Sequence, residues 1–313
     1  MKGEFEFIAD IRSKFPAPEG IAGIGDDCAI IPQKNGLETL VSTDMLVEGR
    51  HFLLDDISPR DLGWKSAAVN FSDIAAMGGR PLGSLLALAL PRNLPRGWAE
   101  SFMEGYREIS EQYGFPLLGG DTTGSETGVC ICVTVLGEAP LGGSRRRSAA
   151  REGDLVCVTG CLGDSAAGLQ AILRHLPDGG DVAVLKQRHH RPIPRIREGM
   201  ELAASAGVHA MMDISDGIGS DLRHILEESG VGAEIDVAQL PLSGEMLRFC
   251  GAQGLDATEL ALCGGEDYEL LFTVAADAED ELKIQHYKIG RITAGTELVW
   301  KGTDKDYMGY RHF

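Results

Sequence analysis

Seven aspartates stand where an isolated charge is costly. Asp26 and Asp27 lie in Gly23-Ile-Gly-Asp-Asp-Cys28, Asp44 closes Ser42-Thr-Asp44 at an expected strand end, and Asp73 lies in the Asn70-Phe-Ser-Asp73 turn of an apolar helix. Asp121 follows Gly119-Gly120, and Asp213 and Asp216 flank Ile214-Ser215. Their apolar or Gly-rich surroundings offer little to pair with. Taken singly, each has an ordinary explanation as a helix cap, a turn former or a solvated side chain. Taken together at strand ends and turns, where α/β architectures assemble their sites, they suit Mg2+ or Mn2+, which take hard oxygen ligands, better than zinc. Such a site fits phosphoryl transfer, whose catalysis is chiefly positioning and charge neutralisation.

The usual nucleotide signatures are missing. There is no Gly-x-x-x-x-Gly-Lys-Ser/Thr, no Gly-x-Gly-x-x-Gly after a strand, and no His-Arg-Asp with Asp-Phe-Gly, which excludes P-loop and protein-kinase folds. Backbone N–H groups at Gly119-Gly120 and around Gly160 and Gly163 could cradle phosphates, although most glycine pairs are simply turns. The run Arg145-Arg146-Arg147 is the one dense cation source, open to reading as a solvated linker or as a phosphate contact.

The elements that must position these groups fall into two sets. Residues 37–44 read as a strand, 61–77 as a helix stopping at Gly78-Gly79, 83–90 as a strand, 97–113 as a helix ending at Gly114, then a short strand running into Gly119-Gly120-Asp121, and 129–138 as a strand. The second set opens with a strand at 154–159, followed by helices near 164–175 and 195–206. A strand at 209–212, the turn 213–217, a helix to about Ser229, and strands at 267–274 and 289–293 complete it. The pattern is α/β (α+β), with a domain at 1–138, a linker at 139–152 where apolar pattern and charge sign both break, and a second domain at 153–313.

Composition bounds the function. The 313 residues carry 47 acidic against 29 basic side chains, a formal charge of −18, which argues against a nucleic-acid or anionic-membrane partner. A phosphate-bearing substrate would therefore need metal cations to neutralise it. The seven cysteines lie mostly in apolar runs without a Cys-x-x-Cys pair, so packing is expected rather than zinc or disulfides. With no apolar signal-like N-terminus and no long apolar stretch, the expected setting is the cytoplasm.

The motifs, in order and spacing, resemble the thiamine-monophosphate kinase family of the aminoimidazole ribonucleotide synthetase-like superfamily. They are Gly25-Asp-Asp-Cys-Ala29, Ser42-Thr-Asp-Met-Leu-Val-Glu-Gly-Arg-His-Phe52, Asn70-Phe-Ser-Asp-Ile-Ala-Ala-Met-Gly-Gly79, Gly119-Gly-Asp-Thr-Thr123 and Val158-Thr-Gly160 with Leu162-Gly-Asp-Ser-Ala-Ala-Gly168. Arg191-Pro192, Met212-Asp-Ile-Ser-Asp-Gly217 and Gly264-Gly-Glu-Asp-Tyr-Glu-Leu270 extend the match almost end to end.

The resemblance implies a two-domain fold whose N-terminal sheets pair in a homodimer to form a barrel, with a C-terminal α/β domain covering the nucleotide. It implies transfer of the γ-phosphoryl group of ATP to thiamine monophosphate, giving thiamine diphosphate, with several Mg2+ ions and no general base. Metal-ligand roles fall on Asp27, Ser42, Thr43, Asp44, Asp73, Asp121, Asp213 and Asp216. Nucleotide contacts fall on Gly120, Asp121, Arg147 and Ser215, with Met103 near the adenine where the family often has an aromatic. Substrate contacts fall on His51, Glu266 and Tyr310. A second departure is the stretch 275–287, shorter than usual and expected to trim a surface helix. The alternatives are another ATP-using enzyme of the superfamily or an inactive nucleotide- or metal-binding regulator. Selenide, water dikinase is disfavoured because its reactive Cys or selenocysteine has no counterpart in this N-terminus.

Overall fold

The computed structural model describes residues 3–309. The first half runs α1 (Glu4–Lys14), β1 (Ala29–Pro32), β2 (Leu37–Val47), α2 (Pro59–Ala76), β3 (Arg80–Pro91), α3 (Trp98–Tyr113), β4 (Leu117–Ser125) and β5 (Cys130–Pro140). Its sheet has the order β1-β2-β5-β3-β4. The second half runs β6 (Leu155–Val158), α4 (Asp164–Leu173), α5 (Gly180–His190), α6 (Ile196–Ala204), β7 (Val208–Asp213), α7 (Ile218–Ser229) and β8 (Gly232–Asp236). It continues through α8 (Gly244–Gln253), α9 (Ala257–Cys263), β9 (Leu270–Val274), β10 (Tyr287–Thr293) and β11 (Leu298–Lys301), with sheet order β11-β8-β10-β6-β9-β7.

Helix α2 joins the halves. Ser58 caps it by accepting the Asp61 N–H at 3.0 Å, and Pro59 fills the first turn, where its missing N–H costs nothing. Glycines on both helices allow a close approach to α3: a Cβ at Gly63 of α2 would lie 1.9 Å from the Phe102 carbonyl oxygen, and one at Gly105 of α3 1.7 Å from that of Arg60. Ala67, Ala68, Phe71 and Ile74 are fully buried in a core that also takes in Met211, Leu270 and Phe272 from the second sheet. The other face of that sheet buries Val156, Leu222 and Phe249 in a separate core under α4, α7 and α8.

One expectation needs correction. Asp44 and Asp121 do not end strands, because β2 continues to Val47 and β4 to Ser125. Asp73 lies inside a helix as expected, and that helix, α2, is buried around its circumference rather than on one face. The segment expected as a linker, 139–152, leaves the end of β5 and is strapped down: Glu38 accepts N–H groups from Gly142 and Ser144 at 3.0 Å, and Arg145 donates to the Ser205 carbonyl at 2.8 Å. The shortened stretch after β9 carries only a 3-10 turn at Glu279–Glu281. Among the described residues no helix is long and apolar enough to cross a membrane.

Candidate active site

The seam between the halves collects carboxylates. Asp27 arrives on the segment before β1, Asp73 on the last turns of α2, and Asp213 at the end of β7; one oxygen from each lies within 4.8 Å of the others. Polar groups of the same elements hold them. Ser72 donates to Asp213, Ser42 donates to Asp73, and Asn70 accepts the Asp44 N–H at 3.0 Å. Arg147, on a 3-10 turn after the strap, donates to Asp27.

The electrostatics are strongly unfavourable to three anions. Burial first, and then repulsion from neighbouring aspartates, pushes Asp73 well above the ordinary carboxylate range and also raises Asp44. Asp27 is raised by burial even though Arg147 opposes the shift, and Asp213 is pushed up to about 7. Asp27 Oδ2 and Arg147 Nε are buried without a hydrogen-bond partner. A cluster of this kind must hold protons or take up a cation.

A second group lies at the same seam. Lys65 of α2, fully buried, donates to Glu266 Oε2 at 3.1 Å and approaches His189 Nε2 at 3.3 Å. Glu266 and Tyr268 have φ of +63° and +52°, left-handed values that side chains rarely adopt and that cluster at functional sites. Glu266 lines a cavity of about 530 Å³ with Thr159, Cys161, Arg188 and Arg191.

Family models for AIR synthase related protein match residues 25–139 (N-terminal domain) and 151–301 (C-terminal domain). The thiamine-monophosphate kinase of Escherichia coli (strain K12) is 42% identical over 329 aligned positions, covering 99% of this chain and 98% of that one. The chain belongs to the thiamine-monophosphate kinase family. The Bacillus subtilis (strain 168) member is 37% identical, with 99% of each chain covered. A solved structure described as AaThiL complexed with AMPPCP and TMP aligns at TM-score 0.92 and 36% identity, covering 99% of this chain and 97% of that one.

Within this family fold, the expected site residues divide. Asp27, Ser42, Asp44, Asp73, Asp213 and Arg147 come together at the seam. Asp26 turns away, accepting from Arg146 Nε at 2.8 Å and from the Arg147 N–H at 2.9 Å, and so secures the strap. Asp216 and Ser215 sit at the entry to α7, where the Asp216 N–H donates to Asp221 at 3.2 Å. The Ser215 carbonyl accepts the Glu266 N–H at 2.8 Å. His51 Nδ1 accepts the Val47 N–H at 3.0 Å. Tyr310 lies outside the described residues.

Four expected residues are elsewhere in the protomer. The Thr43 hydroxyl turns to the opposite face of β2 from Ser42 and Asp44, donating to the Val133 carbonyl at 3.0 Å. Asp44, Val133, Leu86 and Gly120 form one row across the sheet, which puts β4 three strand spacings, roughly 14 Å, from β2. Gly120 packs so closely that a Cβ would lie 1.8 Å from the Leu86 carbonyl oxygen. Asp121, exposed on β4, accepts the Thr122 N–H at 2.9 Å and is outside the three-carboxylate cluster. Met103 of α3 lines a groove of about 550 Å³ with Tyr106, Arg107, Pro116 and Leu117, beside the start of β4.

Sequence reasoning missed Lys65, Asn70, Ser72 and His189. A signal existed: Lys65, Asn70 and Ser72 interrupt a run of small and apolar residues, and full burial turns each polar interruption into a partner for a charge.

Proposed function

We infer that this chain transfers the γ-phosphoryl group of ATP to thiamine monophosphate, giving ADP and thiamine diphosphate. The observation that carries this reading is the packing of Asp27, Asp73 and Asp213 against Arg147 in a chain that aligns end to end with thiamine-monophosphate kinases.

Divalent cations fit the donor set. The ligands are all oxygen, one buried aspartate oxygen lacks a partner, and burial makes the uncompensated anions unfavourable. Asp27, Asp73 and Asp213 would hold Mg2+, with Ser42, Asp44 and Asp216 beside them and Thr43 and Asp121 completing the set. When bound, Mg2+ would neutralise the charge of the ATP polyphosphate and the acceptor's phosphate as they approach each other. Ser72 and Ser42 fix the Asp213 and Asp73 carboxylates, Asn70 holds the Asp44 backbone, and Arg147 and Ser215 face the nucleotide. Glu266 complements the cationic thiazolium, with His51 and Tyr310 in the same subsite. No residue removes a proton, because the acceptor is a phosphate monoester with a second pKa of about 6. Thiamine itself, with only an alcohol, is therefore expected to be inert. Product analysis with each acceptor checks this: thiamine diphosphate from the monophosphate is expected, and equal turnover of free thiamine overturns the reading.

Cation binding has a pH signature. The folded Asp213 pKa of about 7 lies above its ordinary value, so the cation-free fold gains from the bound proton at low pH. That contribution declines as pH rises through the folded value. Mg2+ replaces the proton, so its stabilisation should grow with pH, raising Tm by about 5 to 10 °C at pH 8 and by under about 2 °C at pH 5. Thermal unfolding with and without Mg2+ reads this directly, and equal shifts at both pH values would contradict it.

The remaining residues require a second copy. Strand β1 pairs only with Glu38–Val41 of β2, so residues 42–47 have an open edge among the described strands, as does the outer side of β4. Met45, Cys132, Ala87 and Asp121 share a row on the outward face, where Met45 and Leu85 are 55% and 41% exposed. A homodimer that closes these edges into a barrel covers that face and lays the partner's β4 beside Thr43 and Asp44. One nucleotide then spans both protomers, with its base near Met103 and Gly120 of one and its phosphates at the carboxylates of the other. The reaction runs in the cytoplasm.

A further inference from the structure

We propose that Lys65 is a positioning residue for the acceptor substrate, holding the two segments that carry His51 and Glu266 in one fixed arrangement. The inference rests on the assignment of thiamine monophosphate as acceptor. The Lys65 side chain is 1% exposed, and its ammonium group donates to the His51 carbonyl at 3.4 Å and to Glu266 Oε2 at 3.1 Å. Those residues lie on separate chain segments, one after β2 and one before β9, and both bond to the same nitrogen.

The third partner sets the direction of the donors. His189 of α5 is neutral, since burial and the nearby Lys65 hold it well below its ordinary range. Its Nδ1 lies 2.9 Å from Ser165 Oγ and 3.4 Å from Glu266 Oε2, and its Nε2 3.3 Å from Lys65. With the proton on Nδ1 donated to Ser165, Nε2 is left to accept from the ammonium group. A buried ammonium thus has three acceptors, and only one of them is charged.

The arrangement leaves Glu266 half committed. Oε2 is held by Lys65 and faces His189 Nδ1, while Oε1 accepts no hydrogen bond from the described residues and belongs to a side chain lining the cavity. The N–H of Glu266 is held by Ser215, so the left-handed backbone at φ +63° is secured from both ends. A carboxylate fixed in this way meets a cationic ring without first losing its rotamer freedom.

The test is the split between KM and kcat in the full-length enzyme. Lys65→Met is expected to raise KM for thiamine monophosphate roughly tenfold or more, leaving kcat and the KM for ATP within about threefold. Glu266→Gln should raise the same KM, and the double variant should be little worse than either single one, because both remove one interaction. Ser165→Ala, a smaller change that removes one of the two groups facing His189 Nδ1 and so loosens the ring, covers the case in which Lys65→Met does not fold; it should raise that KM about threefold with Tm retained. An unchanged KM in either folded variant, or additive effects of Lys65 and Glu266, overturns the proposal. Absence of turnover by the unaltered enzyme would instead reject the acceptor assignment.

Discussion

Asp73→Asn is expected to reduce kcat by roughly a thousandfold or more while the cation-free protein becomes more stable. Asp73 lies inside α2 with its carboxylate beside Asp27 and Asp213, and burial together with Asp44 and Asp213 raises its pKa well above the ordinary range. The amide keeps the shape and can still accept from Ser42. It removes an anion that the other two must otherwise tolerate. At pH 8 the cation-free Tm should rise by about 3 °C, and the increment from Mg2+ should shrink. Loss of activity combined with a gain in intrinsic stability separates a working carboxylate from a structural one. Activity near that of the unaltered enzyme, or a fall in cation-free Tm, would remove the carboxylate cluster from the mechanism.

Mixing two inactive variants should restore activity. Asp44 and Asp121 lie near opposite edges of one sheet, and Thr43 and Asp121 share its outward face. If the site is completed across a two-fold axis, Asp44→Asn and Asp121→Asn homodimers each lack one group in both sites and should lose activity by roughly a hundredfold or more. A heterodimer carries both changes in one site and neither in the other. Random reassociation of equal amounts gives half heterodimers with one intact site each, so about a quarter of full activity should return. Turnover measured after joint unfolding and refolding is the readout. Recovery no greater than the sum of the parents would place Asp121 in its own protomer's site or outside the mechanism.

The sequence was most legible where chemistry and local structure coincide. The Gly-Asp-Asp, Asn-Phe-Ser-Asp and Asp-Ile-Ser-Asp segments marked Asp27, Asp73 and Asp213, and the structure brings those three together from three separate elements. Strand ends were less legible: the alternation around Asp44 does not reveal that β2 runs on to Val47 along β5. Helix α5 was missed because only Leu185 and His189 are buried in it, which leaves too few apolar positions to set a helical period. The four-residue strand β11 is defined by its parallel pairing with β8 rather than by its own pattern. Lys65 was missed for the opposite reason: a lysine within a helix ordinarily belongs to a solvent face, and nothing local shows that α2 has no such face.

The central claim is direct transfer between two phosphate groups, and the label from [γ-32P]ATP follows it. Incubation with Mg2+, thiamine monophosphate and the full-length enzyme should place the label in thiamine diphosphate, one equivalent per ADP formed. Label appearing only as inorganic phosphate, or ADP formed at the same rate without thiamine monophosphate, would contradict the account.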